Sequence, residues 1–145
     1  MCFTSIYYPR LYGGTSGSTE FTAVAMDSSG NFAVGGTSSD ILIVTNNALP
    51  NPFITFYEAS GTIRWQKNFD VTKDYIAAMT FTPDSSKLVY VSDPVGIKTF
   101  LVIVNPATSY TIISEYRLRR SSTNEYMLIS PAGLRCDGTN VYIGM

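Results

Sequence analysis

The chain has 145 residues, ten Lys and Arg against eleven Asp and Glu for a net charge of -1, no histidine and two cysteines. The missing histidine removes the side chain most used as general base, proton shuttle and metal ligand, which argues against serine-protease and zinc-hydrolase chemistry. Two cysteines cannot form a four-cysteine zinc site, and a net charge near zero gives no field that would draw in nucleic acid or an anionic membrane.

In chain order, residues 2–12 read as one strand, the outer strand of a unit that precedes the rest. Residues 21–36 (FTAVAMDSSGNFAVGG) then give an apolar run, a polar turn opened by Asp27 and a second apolar run. The same pattern returns at 77–92 (AAMTFTPDSSKLVYVS) with Asp84 and at 128–144 (LISPAGLRCDGTNVYIG) with Asp137. The three aspartates are 57 and 53 residues apart, a period at which repeats build propellers or solenoids.

Each repeat sorts into four strands, A to D. Strand A, at 21–26 and 77–81, is apolar on both faces, as expected for an inner strand held between neighbouring sheets. The Asx turns follow, built from residues that tolerate positive φ or bond their own backbone. Strand B starts at Phe32, Leu88 and Val141, and strand C covers 53–57 and 100–104. Strand D alternates: Ile63, Trp65 and Phe69 oppose Arg64, Gln66 and Asn68, and Ile112, Tyr116 and Leu118 oppose Glu115, Arg117 and Arg119. No stretch keeps apolar residues at helical spacing without a Gly, Pro or turn, so almost no helix is expected. The longest apolar runs are about five residues, FLVIV at 100–104 being one, far short of the ~20 residues of a membrane helix.

The expected fold is all-β: four-stranded antiparallel blades in a partial β-propeller of about two to three blades. Residues 21–70 make one blade, 75–120 a second, 127–145 a half blade, with 2–12 the preceding outer strand. The segment EASGTIRWQK from Glu58 and the segment VAMDSSGNFAVGG from Val24 resemble the C-to-D and A-to-B hairpins of β-propeller repeat and quinoprotein-dehydrogenase-like propeller families. The second repeat departs from that pattern, because NPATSY from Asn105 lacks both the Gly and the Trp. The resemblance implies a fold and almost nothing about function.

Candidate sites are few. Asp27, Asp84 and Asp137 are expected to cap turns rather than hold a cation. Trp65, in register with Ile63 and Phe69, is expected to pack in the core or between blades. The long B-to-C loop, 37–52, carries an apolar segment, Ile41, Leu42, Ile43 and Val44, that offers partner contact or else folds over its own blade. Arg117, Arg119 and Arg120 form the only basic cluster, which either solvates a strand edge or meets an acidic or phosphate-bearing partner. Cys2 and Cys136, on strands too far apart to bridge, are expected to be free thiols, with Cys136 buried.

No catalytic, cofactor-binding or metal-binding residue is assigned. The expected function is a non-catalytic scaffold or protein-interaction subunit, partnered by other proteins or further copies of itself, with no nucleic acid and no membrane span. The alternative is a fragment of a propeller enzyme, a quinoprotein-like oxidoreductase or glycosidase, whose catalytic residues lie elsewhere. Fewer than three blades would leave apolar faces bare, so the chain is expected to be a piece of a longer propeller or, failing that, to be completed by its own copies.

Overall fold

A computed structural model describes residues 17–41, 43–44, 50–69, 74–94, 99–107, 109–118 and 133–144. The expected strand at 2–12 lies outside them. Among the described residues there is no helix. The strands are β1 (Thr19–Met26), β2 (Phe32–Ser38), β3 (Asn51–Tyr57), β4 (Ile63–Asn68), β5 (Asp74–Phe81), β6 (Leu88–Pro94), β7 (Thr99–Asn105), β8 (Thr111–Leu118), β9 (Leu134–Cys136) and β10 (Val141–Ile143). They form two antiparallel four-stranded sheets, β1-β2-β3-β4 (sheet I) and β5-β6-β7-β8 (sheet II), and a β9–β10 hairpin (sheet III).

The first two sheets match strand by strand, down to their irregularities. β1 bulges at Thr22, between pairs Phe21–Gly36 and Ala23–Gly35, and β5 bulges at Ala77, between Ile76–Ser92 and Ala78–Val91. β4 bulges at Arg64, between pairs Phe56–Trp65 and Tyr57–Ile63, and β8 at Ile113, between pairs Ile103–Ser114 and Val104–Ile112. Such bulges re-aim a strand and fix its register. The alignment places Trp65 opposite Phe56 and its equivalent Ser114 opposite Ile103, so the aromatic that the second repeat lacks is replaced by a small polar residue.

Register also corrects the position of the turn aspartates. The three A-to-B turns run 27–31, 82–87 and 137–140, and their first residues, Asp27, Thr82 and Asp137, each donate the backbone N–H to the carbonyl that closes the turn. Thr82, not Asp84, therefore corresponds to Asp27. One extra residue is accommodated by Ser85, which takes the left-handed conformation at φ 59°, unusual for a side chain other than Gly or Asn.

The sheets stack face to face. Ala33, Ile54, Phe56 and Trp65 of sheet I interlock with Ile76, Met79, Phe81, Leu88, Tyr90, Val102 and Val104 of sheet II. The other face of sheet II, through Ala77, Ala78, Val89, Val91 and Leu101, packs on Leu134 and, at its margin, on Val141 and Ile143 of the hairpin. β5 lies at the centre, touching β1, β2 and β3 on one side and β9 on the other, which explains why its segment is apolar on both faces. Gly35 sets the spacing, because a Cβ there would stand 2.6 Å from Met79 Cε and 2.9 Å from Ile76 Cγ2.

Polar groups pin the stack at three levels. Thr22 donates from its bulge to the Ile76 carbonyl. Ser28 meets Ser85 turn to turn, backbone N–H to Oγ at 3.2 Å and hydroxyl to hydroxyl at 3.0 Å. Trp65 Nε1 donates to the Pro106 carbonyl and Arg64 to the Ala107 carbonyl, both at 3.0 Å, so the last strand of sheet I grips the β7–β8 turn. Trp65 is a packing residue between sheets, as expected.

Candidate interaction surface

The apolar loop segment divides into two parts. The N–H groups of Ile43 and Val44 donate to the Asp40 carbonyl at 3.0 and 2.8 Å, a tight turn that folds both side chains onto sheet I. They are buried there against Phe53, with Val34 alongside. Gln66 Nε2, on the adjacent strand, donates to the Ile43 carbonyl and fastens the turn. Only Ile41, 58% exposed, faces outward, and Leu42 lies outside the described residues. Arg117 is exposed on β8, across from Phe100 of sheet II, while Arg119 and Arg120 also lie outside the described residues. The described positions therefore sit on different sheets, Ile41, Ile43 and Val44 on sheet I and Arg117 on sheet II.

The turn aspartates are committed to their own turns. Asp27 accepts from the N–H groups of Ser29 and Asn31, both at 2.9 Å, and from the Asn31 amide. The Thr82 hydroxyl, at 2.6 Å, and the Ser86 N–H hold the Asp84 carboxyl down at about 2, from an ordinary 3.8. Asp137 is depressed further, by the Asn140 and Thr139 N–H groups and then the Tyr142 hydroxyl, which donates at 2.8 Å. A carboxylate bonded this way is a turn cap. Among the described residues no three His, Cys, Asp or Glu side chains gather to hold a metal ion.

The first strands of the three sheets border a groove of about 390 Å³ at the A-to-B turn end. Residues 24–28 of sheet I, 79–83 and Ser85 of sheet II, and Leu134 and Arg135 of the hairpin line it, with Ser28, Thr82 and Ser85 as hydroxyls and Asp27 and Arg135 as its charged members. It holds no nucleophile–base pair: Cys136, half-buried rather than buried as expected, is the one thiol among the described residues and has no histidine to activate it. Binding by shape and hydrogen bonding is what such a surface can do.

The more conspicuous surface is the outer face of sheet I, the face turned away from sheet II. β1 was expected to be covered on both sides, yet Phe21, Val24 and Met26 are 43%, 68% and 66% exposed, and Ile63 on β4 is 47% exposed. Ala23 and Ala25, the intervening residues, pack against sheet II. None of the outward side chains of β1–β4 on this face is charged; toward β4 they end in Thr55, Gln66 and Asn68. The Ile43–Val44 turn covers Phe53 on β3, with Val34 of β2 alongside, and leaves the outward side chains of β1 exposed. The sequence marked β1 as needing a neighbour on each side but carried no signal for which side would stay open. No protein-family model matches the chain, and no curated protein matches it.

Proposed function

We propose that this chain is a non-catalytic scaffold or protein-interaction subunit whose sheets are β-propeller blades, working as part of a larger assembly. The observation that carries this reading is the uncharged apolar face of β1, with Val24 and Met26 about two-thirds exposed in positions whose equivalents in sheet II, Met79 and Phe81, are core. A contiguous exposed apolar patch of this sort marks a binding surface. The propeller reading is supported by the meander order of both four-stranded sheets, their matched bulges and the first strands set side by side. The carboxylates of the three turns are held by their own turns, which favours binding over catalysis.

A photo-crosslinking residue placed at Met26 or at Ile41 tests it. In extract from the natural source, label at either position is expected to trap protein, while the same label at Lys87, on an exposed turn, traps none. Equal labelling at all three positions, or none at any, would overturn the reading.

A further inference from the structure

We infer that copies of this chain associate head to tail, the far face of the β9–β10 hairpin of one copy packing on the β1 side of the outer face of sheet I in the next. This deepens the scaffold reading by naming one occupant of the exposed apolar face.

The molecule already contains the contact twice. Sheet II meets sheet I through Ile76, Met79 and Phe81, and the hairpin meets sheet II through Leu134, which stands at the same register position as Met79. On sheet I the matching positions are Phe21, Val24 and Met26, the exposed ones. The opposite kind of face, supplied by Ala33 on sheet I and Val89 on sheet II, is supplied on the hairpin by Tyr142, 55% exposed. One end of the stack thus presents the face that receives and the other the face that inserts.

Width and charge agree. The Ile43–Val44 turn occupies the β3 part of the outer face with Val34 of β2 against it, so the open part is a narrow strip along β1, and the hairpin that would cover it has two short strands. Ala25 and Thr82 border the same groove between sheets I and II. Their counterparts across the new contact are Arg135 and Asp27, a cation beside a carboxylate. A contact of this kind joins unlike surfaces, and repeating it closes a ring or extends a filament according to the rotation per copy.

Sedimentation velocity over a concentration series tests the inference on three proteins: wild type, Val24→Arg and Tyr142→Lys. Wild type is expected to associate and each variant to be monomeric. Mixed one to one, the variants retain one intact face each and are expected to form a dimer that grows no further. Circular dichroism and melting check that both variants fold; if either does not, Met26→Arg and Arg135→Glu replace the pair. A wild type that stays monomeric to its solubility limit overturns the inference, as does Tyr142→Lys associating like wild type, or a mixture that remains monomeric. If monomeric wild type still crosslinks a foreign protein through Met26, the head-to-tail contact fails while the scaffold reading stands.

Discussion

Replacing Gly35 with alanine probes the closest approach between sheets I and II. The added Cβ would stand 2.6 Å from Met79 Cε, 2.9 Å from Ile76 Cγ2 and 3.0 Å from Ile76 Cβ. Met79 is unbranched and can swing its terminal methyl aside. Ile76 is β-branched, stiff at χ1 and only 1% exposed, so it can move only by shifting β5. Overpacking of this kind costs about 1–3 kcal/mol, offset by roughly 0.4–1 kcal/mol because alanine restricts the unfolded chain. The net expectation is a loss of about 1–2 kcal/mol in a urea titration followed by far-UV circular dichroism. Ile76→Ala removes the clashing methyl, so Gly35→Ala is expected to be milder in that background, with a coupling of at least about 0.5 kcal/mol between the two changes. A Gly35→Ala protein as stable as wild type, or strict additivity with Ile76→Ala, would refute the face-to-face packing of the two sheets.

Trp65→Phe keeps most of the ring but strands the Pro106 carbonyl, and a loss of about 1–3 kcal/mol by urea titration is expected, with no change if the indole bond is unimportant. Thr82→Val removes the largest support of the Asp84 carboxylate, so the Asp84 carboxyl, followed by NMR, is expected to titrate above about 2 and toward its ordinary 3.8. Because the folded value is the lower one, the stabilisation is present above 3.8 and is lost as pH falls toward 2; Thr82→Val is expected to flatten that acid limb of the melting curve. Burial lifts the Tyr90 and Tyr110 hydroxyls, bonded to each other, above the usual 10. The unfolded chain releases those protons first, so stability is expected to fall as pH rises past 10, and Tyr90→Phe to weaken that fall in an alkaline melting series.

The all-β, four-stranded plan was legible because each repeat carries its own punctuation, Asx turns flanked by apolar runs; the alternation expected of the last strand, with Ile63, Trp65 and Phe69 on one face, is broken by the bulge at Arg64, which turns Ile63 outward while Trp65 faces sheet II. Strands B and C fall where the runs at 32–36, 88–92, 53–57 and 100–104 place them. Register was less legible. Asp84 looks like the partner of Asp27 by spacing, but the bulges show that Thr82 holds that place and that the second turn has gained a residue. The loop segment Ile41–Val44 illustrates a further limit. Its composition allows either partner contact or self-packing, and the choice is made by a backbone turn on Asp40 and by Gln66 on a different strand. The exposed face of β1 was hidden for the same reason: an apolar strand announces that it wants neighbours, and only the stacking order decides on which side one is missing.

The central claim is that the repeats stack face to face with β5 between β1 and β9. Methyl-resolved nuclear Overhauser spectra of the protein in solution test this most directly. Cross-peaks are expected from the Met79 ε-methyl to the Gly35 α-protons and from the Leu134 methyls to the Ala77 or Ala78 methyl, alongside the within-sheet pattern. Within-sheet cross-peaks without those two sets would show that the sheets form but do not stack, and would contradict the account.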